Sequence, residues 1–315
     1  MSTAKYKITN WKEYNKALVN RGNINLWFTD DCKSNWYVDP TQPKKKGRNR
    51  LYSDMAIEFA MTLRYLLDLP FRATQGYLTS LLALANLDLN SPEYSTFCRR
   101  QGSLKVVSLC KSKNENINIL VDSTGLKIFG EGEWKTKMHG KAVRRKWRKL
   151  HIAINAETQE IIASSLTDNN VSDDQEFVNL AKSLPKKIKT MKADGAYDTK
   201  LCYAEIIKLG GEVIIPPQKN AIHSKDIVFE TRNSKLDEIA KFEDNDEGRK
   251  QWKINSGYHK KSLIETQMFR FKKILGDKLK SKLFKVQQVE SEIKCKILNL
   301  MTSIGMPKFK EILVN

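Results

Sequence analysis

Cysteine motifs and long apolar runs are both missing from this sequence. Its five cysteines are odd in number and show no CxxC spacing, which argues against a disulfide framework and against a zinc site. No run approaches the roughly 18 apolar residues that a membrane span needs, and the start, MSTAKYKITNWKEY, has no apolar signal core. We therefore expect a soluble cytoplasmic protein with reduced thiols.

Acidic residues are scarce relative to basic ones. The 315 residues include 55 Lys and Arg against 36 Asp and Glu, which gives a formal net charge of +19. Such an excess attracts polyanions, so nucleic acid is the first partner to consider, and a basic surface that only faces solvent is the alternative. The hydrophobic fraction of 40% and the aromatic fraction of 9% are ordinary for a chain that folds.

Residues 1–110 are expected to form a helical region that binds DNA. Residues 53–69 have apolar positions at helical spacing after the cap residue Ser53, and two further helices are predicted in LPFRATQGYLTSLLALANL and EYSTFCRRQGSL. A helix-turn-helix of this kind would turn Arg99 and Arg100 towards DNA. The alternative is an ordinary helical hairpin with a charged, exposed end. Before these helices, PKKKGRNR (43–50) is predicted to be a basic loop that contacts phosphates.

Residues 111–315 change to short β-branched runs and are expected to form an α/β domain. Strands are predicted in INILVDSTGLKIFG, KLHIAINAETQEIIASSLT, IKTMKADG and GEVIIPP. Helices are predicted in DDQEFVNLAKSL and TKLCYAEIIKLGG, and one or two long helices in 258–304. Hairpin strands followed by alternating strands and helices indicate a mixed sheet with flanking helices.

Two aspartates stand where predicted strands end. Asp122 ends INILVD and Asp194 ends TMKAD, and small or polar residues follow each of them. A carboxylate at a strand end near glycine is suited to present its charge to a ligand. The alternative for each is a turn or helix-cap residue.

A third acid, Glu265, is predicted on the helix NSGYHKKSLIETQMFRFKKIL. At about 100° per residue, it shares one polar stripe with Tyr258, Lys261 and Lys272. A separate apolar stripe would pack on the sheet and consists of Ile264, Met268, Phe271 and Leu275. The alternative is an amphipathic helix whose charged edge is merely solvated.

Three carboxylates without a His or Cys cluster suit Mg²⁺, with Mn²⁺ as a substitute, because hard cations take oxygen ligands. Two such ions would activate the attacking oxygen and stabilise the leaving one during phosphodiester cleavage. Lys261 and Lys272 would neutralise phosphate charge. So would residues 135–149, which carry eight basic residues, including Arg144 and Arg145, and no acid.

An ordered series of motifs adds a family resemblance. The series is RGNINLWF, LPFRATQGYLTSLL, YSTFCRRQ, VDSTGLKIFGEGEWK, RRKWRKLHIAIN, ADGAYDT, IIPPQKNA, GYHKKSLIETQMFRFK and ILNLMTSIGMP. It resembles the transposases of the insertion-sequence-5 family, within the insertion-sequence-4-like group of Asp-Asp-Glu transposases, over almost the whole chain. The resemblance implies an RNase H-like catalytic fold after a helical DNA-binding segment. It also implies a homodimer or higher oligomer, assembled on the terminal inverted repeats of a bacterial element in the nucleoid.

The same resemblance implies roles for individual residues. In the family, the first Asp lies in DSTGLK, the second in DGAYD and the Glu in a Y-x2-R-x3-E-x6-K signature, which here are Asp122, Asp194 and Glu265. The resemblance also favours a DNA contact for Tyr258, with packing on the sheet as the alternative. The signature arginine is Lys261 in this chain, which keeps the charge but loses the planar fork for phosphate. The intervals of 72 and 71 residues between the acids leave little room for the β insertion of some relatives.

Other residues and functions are also considered. Asp168, Asp173 and Asp174 are candidates for a further metal ligand, with capping of the next helix as the alternative. His151 is expected to be a packed strand residue. Two other functions stay open: a nuclease that cuts without joining, and an inactive, transposase-derived DNA-binding protein.

Overall fold

The computed structural model describes residues 5–41, 50–106, 116–128, 147–242 and 244–312. The helices are α1 (Trp11–Asn20), α2 (Ile24–Trp27), α3 (Asp30–Ser34), α4 (Asp54–Leu66), α5 (Phe71–Leu84), α6 (Tyr94–Arg100), α7 (Asp173–Ala181), α8 (Lys200–Lys208), α9 (Glu230–Ala240), α10 (Asn245–Asn255), α11 (Ser262–Leu275) and α12 (Phe284–Ile304). The strands are β1 (Lys5–Ile8), β2 (Ile117–Ile128), β3 (Trp147–Asn155), β4 (Ile161–Asp168), β5 (Ile188–Lys192), β6 (Glu212–Ile214), β7 (Lys278–Leu279) and β8 (Phe309–Ile312).

The chain divides into two compact units. The first combines Met1–Val107 with Lys296–Asn315, and the second is Ser108–Cys295. The end of the region assigned to the catalytic domain from sequence, 296–315, therefore clusters with the N-terminal unit. One reason is that β8, near the C-terminal end of the described chain, pairs antiparallel with β1 of the same unit.

The first unit is helical and has an aromatic core. The rings of Phe28 and Phe59 stack with their centroids 4.7 Å apart, and Trp36 meets Phe28 edge-on at 5.6 Å. The Ser53 side chain accepts a hydrogen bond from the backbone N–H of Ala56 and so caps α4. The helices predicted within residues 53–104 are confirmed.

The second unit contains a mixed six-stranded sheet. Its order is β4-β3-β2-β5-β6, and β7 pairs with β2 off this path. The β2–β3 and β3–β4 pairs are antiparallel, whereas β2–β5 and β5–β6 are parallel. The antiparallel strands β2, β3 and β4 therefore lie side by side, and β5 and β6 continue the sheet on the other side of β2, parallel to it. This is the arrangement of the RNase H-like fold, and it confirms the expected fold class.

The two faces of the sheet are covered by different helices. Val121 of β2 and Met191 of β5 belong to an apolar cluster with Phe177 of α7 and Tyr203 of α8. Because side chains alternate between faces, the neighbours Asp122 and Lys192 point to the opposite face. That face is where α11 packs on β2, with the predicted apolar stripe of Ile264, Met268, Phe271 and Leu275 buried.

Two local predictions are wrong. Asp122 does not end a strand, because β2 continues through Ile128 and stays paired with β3 as far as Lys127. The predicted helix around Glu265 begins only at Ser262, and residues Tyr258–Lys261 form a separate 3₁₀ turn. A single straight stripe through all four polar residues is therefore not formed, since a 3₁₀ turn advances three residues per turn instead of 3.6.

Helices α9 and α10 lie in a stretch rich in charged residues, which gave no clear apolar periodicity in the sequence. None of the helices in the described part of the chain is long and apolar enough to cross a membrane.

Candidate active site

Asp122 lies in the middle of the central strand β2, with a side chain 13% exposed. Its Oδ1 accepts a hydrogen bond from the backbone N–H of Ser123 at 2.8 Å, and its Oδ2 accepts one from Lys261 Nζ at 2.7 Å. Burial raises the pKa of the Asp122 carboxyl above its usual range, against the opposing effect of the Lys261 ammonium. The charged form of the buried Asp122 carboxylate is therefore unfavourable unless a cation lies next to it.

Asp194 lies two residues beyond the end of β5, the strand that pairs in parallel with β2. Leu120 of β2 is opposite Lys192 of β5, and each aspartate follows two residues later in its own chain segment. Asp194 caps the 3₁₀ turn Gly195–Tyr197, where its Oδ1 accepts the N–H of Ala196 at 2.9 Å. Its negative charge contributes to the raised pKa of Asp122, so the two aspartates belong to one electrostatic cluster.

Glu265 lies in the first turn of α11, where a negative charge is favoured by the helix dipole. Its side chain is 62% exposed, and Oε1 accepts a hydrogen bond from Lys261 Nζ at 3.1 Å. One ammonium thus joins the strand-borne Asp122 to the helix-borne Glu265.

Lys261 ends the 3₁₀ turn, and its side chain is only 12% exposed. Burial opposes the ammonium charge, but the hydrogen bonds and charges of Asp122 and Glu265 outweigh it and raise the pKa of Lys261. Lys261 therefore places its ammonium between two of the three acids.

Tyr258 opens the same turn and packs against the small apolar cluster of Ile214, Ile239 and Trp252. Burial raises its pKa, Lys261 opposes this rise, and the carboxylates of all three acids add to it. Tyr258 therefore lies close to the three acids, and its ring packs against the apolar cluster. Lys272 lies in the last turn of α11 and is half-buried.

A buried lysine anchors this turn, and the sequence analysis missed it. Lys192 Nζ donates hydrogen bonds to the backbone oxygens of Gly257 at 2.6 Å and Ser256 at 3.3 Å. Gly257 has φ +62, and a Cβ there would lie 3.3 Å from Lys192 Nζ. A lysine placed among apolar residues at the end of a predicted strand was the available signal.

A cavity of about 640 Å³ is lined by Gly195, the residue after Asp194, and by Tyr258. Lys219, Lys250 and Lys253 contribute basic side chains to its lining. Neither α9 nor α10, which supply part of its wall, was predicted from the sequence.

The donor set suits a hard divalent cation in its chemistry. Asp122 and Glu265 both direct an oxygen to one ammonium, and Asp194 adds a third carboxylate from the segment that follows the adjacent strand β5. Within the described ranges, no three His, Cys, Asp or Glu side chains form a group compact enough to hold a metal ion. The ammonium of Lys261 holds two of the acids in their present arrangement.

Arg99 and Arg100, the two residues of the N-terminal region that were predicted to contact DNA, differ in exposure. Arg99 is exposed, and its Nε donates to Ser95 O at 3.2 Å. Arg100 is buried, bonded to Tyr52 O and paired with Asp54, so the exposed position predicted for it is wrong. Its guanidinium is used inside the unit because Asp54 and a backbone carbonyl face it there.

Other predicted residues have mixed outcomes. Arg144 and Arg145 lie outside the described residues, as does the basic loop 43–50 except for Arg50. Asp168 pairs with Arg148. His151 is buried, with Nε2 2.9 Å from Thr167 Oγ1, which confirms the expectation of a packed strand residue.

Asp173 and Asp174 lie in the first turn of α7, and Ser172 occupies the N-cap position. Asp173 Oδ1 is 3.4 Å from both Lys149 Nζ and His151 Nδ1. Asp173 therefore lies beside two residues of β3.

The RNase H-like sheet brings Asp122 of β2 and Asp194, two residues beyond β5, into one cluster with Glu265 of the packed helix α11. The chain belongs to the Transposase DDE domain family, whose profile matches residues 115–300. A second profile with the same description matches residues 19–131.

Among solved structures, the chain is similar to a piggyBac transposase in a cryo-EM synaptic complex with hairpin DNA. The TM-score is 0.45 and the identity 10%, over 91% of this chain and 74% of that chain.

Proposed function

We propose that this protein is the transposase of a bacterial insertion sequence, of the insertion-sequence-5 family, that cuts DNA at the terminal inverted repeats and joins the 3′ ends to target DNA. The observation that carries this proposal is the shared contact of Asp122 and Glu265 with Lys261, beside Asp194, which follows the adjacent strand β5. The family match supports the transposase class, and the motif resemblance supports the finer assignment.

Asp122, Asp194 and Glu265 would hold Mg²⁺ or Mn²⁺. When bound, the metal supplies Lewis-acid stabilisation of the attacking and leaving oxygens. The chain itself would position DNA: water is the first nucleophile at the element's end, and the released 3′ hydroxyl is the second, at the target. No covalent protein intermediate is needed, because the hydroxyl that is freed in the first step attacks directly in the second.

The DNA contacts proposed for this function are basic and aromatic. They are Tyr258, Lys261, Lys272, Arg99, Arg144 and Arg145. The lysines that line the cavity together with Gly195 support phosphate binding there. Double-stranded DNA is therefore the proposed partner, and a homodimer or higher oligomer on two paired ends is the proposed assembly.

A second candidate is an inactive DNA-binding protein derived from a transposase. The observation that favours it is Lys261, which neutralises two of the three acids and replaces the arginine of the family signature. Such a protein would bind DNA in a salt-sensitive manner without cutting it.

Cleavage and strand transfer on labelled DNA that carries the element's ends, with Mg²⁺ or Mn²⁺, tests the proposal. We expect the wild type to cut and join, and Asp122→Asn, Asp194→Asn and Glu265→Gln to bind DNA but do neither. Asp237→Asn is a matched control, because this exposed acid lies on α9 and pairs with His223. Cutting without joining would support the nuclease, and binding without cutting by the wild type would support the inactive protein.

A further inference from the structure

The environment of Lys261 differs from that of its neighbours in the same turn. His259 and Lys260 are exposed, whereas the Lys261 side chain is 12% exposed and bonded to two acids. The local backbone produces this difference: Gly257 adopts φ +62, the 3₁₀ turn follows, and Glu265 stands four residues beyond Lys261. Lys192 holds the start of the turn through the carbonyls of Ser256 and Gly257.

The position of the ammonium conflicts with occupancy by a metal. Lys261 Nζ is 2.7 Å from Asp122 Oδ2 and 3.1 Å from Glu265 Oε1, so it uses one oxygen of each acid. Mg²⁺ binds carboxylate oxygens at about 2.0–2.1 Å, so an ion bound to this same Oδ2 and Oε1 would occupy the space in which the ammonium lies. The ammonium and a divalent ion at these two oxygens therefore exclude each other.

We propose that Lys261 is a displaceable counter-cation. It occupies the cation position between Asp122 and Glu265 in the metal-free protein, and it is released when a divalent ion binds there. The freed ammonium, on a flexible four-carbon stem, then contacts a DNA phosphate. This inference rests on the proposed metal site and adds a regulation of it: metal occupancy and the Lys261 contact with DNA are linked, and linkage of this kind acts in both directions.

Metal affinity tests the displacement directly. Binding of Mn²⁺ alone, without DNA, is measured by calorimetry for the wild type, Lys261→Met, Lys261→Arg and the matched control Lys260→Met. We expect Lys261→Met to bind Mn²⁺ about tenfold more tightly or better, because no ammonium has to leave. Lys261→Arg keeps the charge and should stay close to the wild type. Lys260→Met, which removes a charge one residue earlier, should change the affinity by less than about twofold.

Failure of this inference is distinguishable from failure of the proposed function. Equal or weaker Mn²⁺ binding by Lys261→Met, with binding abolished by Asp122→Asn, overturns the displacement but leaves the metal site standing. Absence of Mn²⁺ binding in every protein, Asp122→Asn included, overturns the metal site itself. If Lys261→Met folds poorly, the rise in melting temperature on adding Mn²⁺ is compared between this variant and the wild type, since that rise reports Mn²⁺ binding by the folded protein.

DNA binding tests the second half of the proposal. The salt dependence of binding to a short mixed-sequence duplex is measured for the wild type and Lys261→Met, with and without Mn²⁺. With Mn²⁺, the slope of log K against log salt should differ between the two proteins by about 0.9, the value for one phosphate contact. Without Mn²⁺ the slopes should coincide, since the acids retain Lys261. The same difference under both conditions overturns the linkage.

Discussion

The buried ammonium of Lys192 donates a 2.6 Å hydrogen bond to the backbone oxygen of Gly257. This contact joins strand β5, which precedes Asp194, to Gly257 at the start of the 3₁₀ turn that ends at Lys261, four residues before Glu265. It therefore fixes the spacing between Asp194 and Glu265. Within the described part of the chain, Lys192 forms its hydrogen bonds with the Ser256 and Gly257 carbonyls and not with these acids.

Replacing Lys192 with methionine tests this role. We expect Lys192→Met to lower the free energy of unfolding by about 1–3 kcal/mol, because the carbonyls of Ser256 and Gly257 lose the charged Lys192 donor, and to reduce DNA cleavage. Urea unfolding and the cleavage assay measure the two effects. Lys189→Met on the same strand is the control, since Lys189 is exposed. Equal behaviour of both variants would contradict the anchoring role.

Gly257 should tolerate alanine less well than another glycine of similar conformation. Gly257 and Gly210 have φ +62 and +69, but a Cβ at Gly210 meets nothing within 4 Å, whereas one at Gly257 lies 3.3 Å from Lys192 Nζ. Both alanine variants should lose about 1–2 kcal/mol from the left-handed backbone. Thermal unfolding should show a larger loss for Gly257→Ala, and only that variant should cut DNA more slowly. An equal loss in both would show that the Lys192 contact adjusts without cost.

Arg99 and Arg100 should separate DNA binding from stability. We expect Arg100→Ala to lower the free energy of unfolding by about 1–3 kcal/mol, because Tyr52 O and Asp54 lose a charged donor. Arg99→Ala should change stability by less than about 0.5 kcal/mol and lower the salt slope of DNA binding by about 0.9 if Arg99 contacts a phosphate. Urea unfolding and DNA binding at several salt concentrations provide the comparison. A reduced salt slope for Arg100→Ala alone would reverse the assignment.

Lys235 should make stability depend on pH in the alkaline range. Its ammonium is buried beside Val213 O, and burial lowers its pKa from 10.5 to about 8 despite nearby carboxylates. Between these values the unfolded chain binds the additional proton, so the stability contributed by this site rises with pH and is lost as pH falls through about 8.

Urea unfolding between these two pH limits should show this rise in the wild type. The difference from Lys235→Met, which cannot titrate, should reach about 2–3 kcal/mol over the window. Parallel pH profiles for the two proteins would show that the lysine pKa is not lowered in the folded state.

Much of the architecture was predictable because its signals are local. The cap at Ser53, the apolar stripe of α11 and the β-branched runs of β3 and β4 each lie within a short window of sequence, and the corresponding elements are present. The position of Asp122 within its strand was not predictable in the same way. Pairing of β2 with β3 extends the strand beyond the polar residues that suggested its end.

The sequence by itself determined the candidate acids, the excess of positive charge and the order of α4–α6 and of β2–β6, since composition and periodicity are properties of the chain. Only the tertiary structure decided which charges are paired. Lys261 and Asp122 are 139 positions apart, yet they form a 2.7 Å hydrogen bond, and Arg100 turns inward to Asp54 instead of outward. The physical reason is that a buried charge needs a partner in space, and the packing of a helix on a strand supplies partners that no local pattern reveals.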